Sequence, residues 1–280
     1  LRAIQARDIG ELVESLCLRI SYELPDDVEK AIADAVGVEE SPEGREALDM
    51  LLKNAKVARC DRFPICQDTG VFSVFIELAQ DDCIEGDLTA EVNAGVARAT
   101  GEGHLRSSVA ADPAGSRVNT GDNTPVHVSI EPADGDDTLL SVLSKGGGSE
   151  NASRLAMLPP GEGWAGVVAY VAGVAGEVAA KSCPPLVLGI GVGGSFDRAP
   201  ALAKKALLVP LDERGRDTEL EAREKEIVEA VNLIGVGPGA LGGTVTCIGA
   251  RILVEPCHIA NLPVAVSVSC HALRRATVTI

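Results

Sequence analysis

Aromatic side chains are scarce: the 280 residues hold one Trp, two Tyr and four Phe, so a core must be packed from Ala, Val, Leu and Ile. A cationic excess is missing too. The formal charge is -16, with 25 Lys and Arg against 41 Asp and Glu, and nothing here would neutralise a run of phosphates, so nucleic acid is excluded as a partner. No long hydrophobic run occurs. The stretch Trp164–Gly176 covers 13 residues, short of the roughly 20 that span a bilayer, so no membrane partner is expected. No basic and apolar leader is visible, and a cytoplasmic location is expected. Finally, the eight cysteines, at 17, 60, 66, 83, 183, 247, 257 and 270, include no CxxC pair. That weakens zinc-ribbon and thioredoxin readings, and a reducing compartment argues against a disulfide framework. What remains for each is a buried small hydrophobe or a ligand gathered from a distant loop.

What is abundant is glycine, thirty residues of it, and the richest chemistry stands beside one. Pro64-Ile65-Cys66-Gln67-Asp68-Thr69-Gly70 places a thiol, an amide, a carboxylate and a hydroxyl in succession. Pro64 cannot continue a hydrogen-bonded ladder, and Gly70 allows backbone angles that other residues avoid. The turn should therefore open directly onto the apolar strand Val71–Ile76, a common way to present reactive groups. The competing reading is a surface turn with an incidental thiol.

The chain reads as α/β. A helical N-terminal segment (1–60) has an apolar stripe at Ile9, Leu12, Val13, Leu16 and Cys17, then helices opened by Pro25 and by Ser41-Pro42-Glu43. A mixed α/β core (61–280) with glycine-rich turns follows, and the whole 1–280 is expected to be a single domain without internal repeat. Helices are predicted over Leu88–Thr100, Gly163–Lys181, Ala199–Ala206 and Leu220–Asn232. Strands are predicted over Val126–Ile130, Leu139–Leu143, Leu186–Gly191, Thr246–Glu255 and Leu262–Val268. The helix over Gly163–Lys181 is apolar nearly all round and should be buried. Lys145-Gly146-Gly147-Gly148-Ser149-Glu150-Asn151 is an ordered turn that could nest an anion but lacks P-loop spacing. Gly189 and Gly191 in the strand and Gly193 and Gly194 in the turn after it are out of register for a dinucleotide site. Arg106 could clamp a carboxylate with two parallel hydrogen bonds, or could be a solvated surface arginine.

Taken together, the motifs PICQDTG, LRxS, NTGDNTP, KGGGSEN, CPPLVLGIGVGGS, the GP-to-LGG turn and the closing LPVAV…C resemble the class I, iron–sulfur fumarase family. They span positions 62 to 270 in a consistent order and are similar to the α-subunit type that also serves L-tartrate dehydratase. The resemblance implies a [4Fe-4S] cluster held by Cys66, Cys183 and Cys270, with the fourth iron open to substrate. Thiolates are the usual ligands of such clusters, and an open iron can act as a Lewis acid in moving water on or off a dicarboxylate. It further implies Gln67, Arg106 and Gly147 at the substrate and His258 in the active site, and Asp68 is the candidate for proton transfer. Cys17, Cys60, Cys83, Cys247 and Cys257 match no ligand position and are expected to be structural.

Two departures stand out. Ala240 replaces a glycine of the usual GPxGLGG turn, which should shift that loop. Single-chain members also continue into a second domain that completes the site, whereas here the sequence stops ten residues past Cys270. The expected partner is therefore a β subunit, with self-association of the α chain also open. The leading expectation is fumarate/malate hydration, with L-tartrate dehydration as its rival. A reading from another class is a non-catalytic anion-binding module, separable from the enzyme by whether the protein takes up iron and sulfide.

Overall fold

The computed structural model describes residues 2–213 and 217–280. In chain order the first elements are β1 (Arg2–Gln5), α1 (Ala6–Tyr22), α2 (Asp26–Val38), α3 (Pro42–Asp61), β2 (Val71–Ala79), β3 (Asp82–Glu85), α4 (Leu88–Glu102), β4 (His127–Ala133) and β5 (Leu139–Lys145). There follow α5 (Gly147–Asn151), β6 (Arg154–Leu158), α6 (Gly163–Val178), β7 (Leu186–Gly193), α7 (Arg198–Ala206), α8 (Thr218–Asn232), β8 (Cys247–Glu255), β9 (Leu262–Ser269) and β10 (Arg274–Thr279). The architecture is α/β with a helical N-terminal segment, as the sequence predicts.

The chain divides into two compact units, each discontinuous in sequence. The first gathers Leu1–Pro25, Val57–Gly147 and Arg274–Ile280; the second gathers Asp26–Lys56 and Gly148–Leu273. The N-terminal helices are thus shared out, α1 to the first unit and α2 with most of α3 to the second.

In the first unit a four-stranded sheet runs in the order β10-β5-β2-β4, with a small parallel pair β1-β3. β2 pairs with β4 in parallel and with β5 antiparallel. Helix α1 buries Ile9, Val13, Leu16, Cys17 and Ile20, residues at helical spacing, against Phe72, Val74, Ile76, Leu140 and Val142 of the sheet. Helix α4 starts at Asp87, whose Oδ1 accepts from the Ala90 amide at 3.0 Å, an ordinary side-chain cap.

The second unit repeats that strand order. Its sheet runs β6-β9-β7-β8, with β7 parallel to β8 and antiparallel to β9. In both units, then, a strand, a helical crossover, a parallel strand and an antiparallel return make the same three-stranded core. No repeat is visible in the residues because what recurs is topology. The outer strands are exchanged in sequence: β6, which follows β5, pairs with β9, and β10, which follows β9, pairs with β5. The glycines of β7 serve packing. A Cβ on Gly189 or Gly191 would lie 2.1 Å from the carbonyl oxygen of Ala203 or Ala199, so α7 can rest on the strand only where side chains are absent. This replaces the nucleotide-turn appearance of that segment with a mechanical reason.

One expectation is corrected. Helix α6 is buried only along Val167, Val171, Val174, Ala175 and Val178, whereas Ala165, Ala169 and Gly173 are exposed. The outer face is apolar but made of small residues, which expose little surface. By length and composition the 22-residue span Pro160–Lys181 would suffice to cross a membrane, more than the run read from the sequence. Within its unit it packs on α8 and β9.

Candidate active site

In the first unit the loop ahead of β2 turns its carboxylate inward onto backbone amides. Asp68 Oδ1 accepts from the Gly70 amide at 2.9 Å, and Oδ2 accepts from the Gly147 amide at 2.8 Å. The Ser108 hydroxyl adds a 3.3 Å bond to Oδ1. Gly70 is required: its φ is +76°, and a Cβ there would stand 2.2 Å from the carbonyl oxygen of Lys145. The Ser144 hydroxyl donates to the carbonyl of Thr69, and Arg274 Nη1 donates to the carbonyl of Asp68 at 2.8 Å. Cys66, half-buried, receives the Asp68 amide on Sγ at 3.4 Å and donates to Oε1 of the exposed Gln67 at 3.4 Å.

The two polar segments that follow α4 are locked together. Buried Asn123 accepts from the Ser108 amide at 2.6 Å and donates to the carbonyl of Arg106 at 3.1 Å. Asp122 accepts from the hydroxyl and amide of Thr124, and these bonds, the hydroxyl first, hold its carboxyl below the usual range. The Arg106 side chain is exposed, and no described residue engages it. Its guanidinium is free to take a carboxylate while its backbone is fixed next to Ser108.

In the second unit Cys183 ends the segment after α6. Its φ is +52°, a left-handed setting that costs a side-chain-bearing residue of order 1 kcal/mol. His271, one residue beyond Cys270, makes a 3.1 Å ring-nitrogen bond to the carbonyl of Cys183, so these two cysteine turns are neighbours. The Gly239 amide donates to the Pro184 carbonyl at 2.9 Å, seating the GP-to-LGG turn behind the same cysteine. Ala240 in that turn has φ +61°, a conformation that the glycine it replaces would adopt without strain. His258 is exposed on the loop between β8 and β9, where Nδ1 accepts from the Ala260 amide at 3.2 Å.

The fumarate hydratase (Fumerase) family matches residues 10–279. The chain belongs to that family. It is 37% identical over 276 residues to the putative L(+)-tartrate dehydratase subunit alpha of Methanocaldococcus jannaschii, covering 96% of each chain. It is 32% identical over 275 residues to the L(+)-tartrate dehydratase subunit alpha of Escherichia coli strain UTI89, covering 97% of this chain and 90% of that one. The K12 protein of the same name is 31% identical over a similar span.

Within this Fumerase-family chain the cysteines sort by surroundings. Cys17 and Cys247 are buried, and burial pushes both thiols up, that of Cys247 to about 12; they are core residues. Cys66 and Cys270 are half-buried and Cys183 is exposed, all three in turns at strand ends, where the sulfur can be reached. Donor chemistry there suits an iron–sulfur group. Among the described residues no three His, Cys, Asp or Glu side chains are gathered as a metal-holding group. Cys60 and Cys257 are exposed, so the structural role expected of them does not extend to packing. Sequence reasoning missed Ser144 and Arg274. The only signal for Arg274 was its place four residues after Cys270.

Proposed function

We propose that this chain is the α subunit of an iron–sulfur hydro-lyase that hydrates fumarate to malate and runs the reverse. The observation that carries this reading is the Asp68 carboxylate, held by two amides beside Cys66 with the unengaged Arg106 guanidinium on the neighbouring segment. Family membership supports the reaction class. Cys66, Cys183 and Cys270 would hold a [4Fe-4S] cluster. When bound, that group supplies Lewis-acid assistance to the arrival or departure of hydroxide.

The chain's own residues would do the rest. Arg106 binds one substrate carboxylate through its planar fork, and Gln67, exposed beside Cys66, adds an amide contact. Asp68 carries the proton at C3, and its fixed orientation removes the need to reorganise during transfer. The Gly147 amide holds Asp68, and His258 would be the active-site histidine that the family pattern implies. A β subunit completes the clamp on the second carboxylate. L-tartrate is the second substrate reading, favoured by the names of the relatives above.

The deciding experiment is anaerobic reconstitution with iron and sulfide, in the presence of the β subunit, followed by assays on fumarate and on L-tartrate. Turnover of either is expected, and Cys66→Ala, Cys183→Ala or Cys270→Ala should each lower bound iron while Cys17→Ala does not. A wild-type protein that takes up no iron, or loses none in these variants, would overturn the assignment and favour a non-catalytic anion-binding module.

A further inference from the structure

Two consecutive carbonyls of the Asp68 loop are gripped by two side chains that face each other across a sheet. Ser144 on β5 and Arg274 on β10 are register partners. The first holds the carbonyl of Thr69 and the second, at 2.8 Å, the carbonyl of Asp68. Arg274 is 3% exposed, and its Nε is buried without a hydrogen-bond partner. Among the described residues no carboxylate pairs with it. A buried guanidinium with one neutral acceptor is unfavourable, since desolvation of the charge is only partly offset. An aliphatic side chain of similar volume would fill the space at lower cost. Its presence therefore calls for a role other than packing, and its one bond ends on the main chain of Asp68.

We propose that Arg274 is a positioning residue for the hydro-lyase reaction, fixing the Asp68 peptide so that the carboxylate stays on the Gly70 and Gly147 amides. This rests on the functional reading above. The geometry follows from the pairing: Ser144 alone holds the Thr69 carbonyl, which leaves the peptide before it able to rotate. Arg274 stops that rotation. Rotation of the Asp68 peptide would swing the carboxylate away from Gly147, and a displacement of about 1 Å is enough to cost roughly a hundredfold in rate. A lysine could reach the carbonyl with one donor, but without the planar fork that keeps the bond in line.

The test uses the reconstituted holoenzyme with its β subunit, comparing wild type, Arg274→Met, Arg274→Gln and Arg274→Lys. In Arg274→Met, kcat should fall about a hundredfold while KM changes by less than about threefold. Iron content should match wild type, and hydrogen exchange at the Gly70 and Gly147 amides should speed up while the centres of β2 and β5 stay protected. Arg274→Lys, with one donor and no fork, should recover part of kcat and part of the amide protection together. Unchanged exchange at Gly70 and Gly147 overturns the proposal whatever the activity does, and so does a lysine that recovers kcat while those amides stay open. If Arg274→Met unfolds, Arg274→Gln is read by the same two amides and the same criterion. A wild-type holoenzyme inactive on both fumarate and L-tartrate would overturn the hydro-lyase reading instead, and the exchange at Gly70 and Gly147 would still decide whether Arg274 holds Asp68.

Discussion

The Val245 amide donates to Oε2 of Glu39 at 2.7 Å, and Glu39 is fully buried. The same carboxylate accepts from the amides of Ser41 at 2.8 Å and Thr244 at 2.9 Å, tying the end of α2 to the chain after the GP-to-LGG turn. Burial alone would raise its pKa; the amides of Ser41, Thr244 and Val245 and the Thr244 hydroxyl outweigh that, and the net shift is downward from 4.5. A depressed native pKa means that the stabilisation is complete above the unfolded value and is lost as pH falls through the lower native one. Glu39→Gln should therefore destabilise the protein at pH 7 by about 1.5–3 kcal/mol. It should also flatten the loss of stability below pH ~4.5, as read by urea midpoints across that range. An acid limb with the wild-type slope would show that Glu39 does not carry it.

Ala240 offers the opposite case, a site where the protein can be improved. Its φ of +61° is unfavourable for any residue with a Cβ. Ala240→Gly relieves about 1–2 kcal/mol of that strain and gives back about 0.5–1 kcal/mol in unfolded-state entropy. A net gain of about 0.5–1 kcal/mol in a denaturant titration is expected. A loss would mean that the turn prefers alanine.

Gly70→Ala should be severe, because a methyl group would have to displace the Lys145 backbone from 2.2 Å while holding φ at +76°. Loss of several kcal/mol, or failure to accumulate folded protein, is expected. Gly37, where nothing lies within 4 Å of an added Cβ, is the control: Gly37→Ala should leave stability equal to or slightly above wild type.

Asp68→Asn keeps the shape of the side chain but removes its capacity to carry a proton. It also sets an amide group against one of the two backbone donors that now meet carboxylate oxygens. In the holoenzyme kcat should drop by about 10²–10⁴-fold with iron content unchanged. Retained turnover would move the proton-carrying role to another residue.

Much of the scaffold is legible in the sequence because its signals are local. The stripe from Ile9 to Cys17 specifies α1, and Val71–Ile76 falls inside β2. Short strands escape such reading: β3 and β6 are too brief to show a period, and β10 opens with Arg274-Arg275, which reads as surface. Helix α6 misleads because alanine and glycine count as apolar without needing burial. At the site, the Asp68–Gly70 bond is two residues long and could be expected from an Asp-Thr-Gly turn. The Gly147 and Arg274 contacts bridge 79 and 206 residues and have no local trace. Long-range pairing of this kind is decided by the sheet order, which single-sequence periodicity does not encode.

The exchange of outer strands between the two sheets also has a bearing on synthesis. Ser144 emerges from the ribosome well before Arg274, its partner on β10. While the second half is being made, β5 is an unpaired edge, and such edges invite pairing with other chains. At a translation rate of about 5–20 residues per second, the interval between the two residues lasts on the order of ten seconds. The Asp68 loop cannot receive its arginine until after that delay, so a nascent chain carries all of PICQDTG for that interval with no arginine on the Asp68 carbonyl. Pausing late in the message would prolong the vulnerable interval, and a chaperone that shields β5 would act on the first unit long after its own residues had been made.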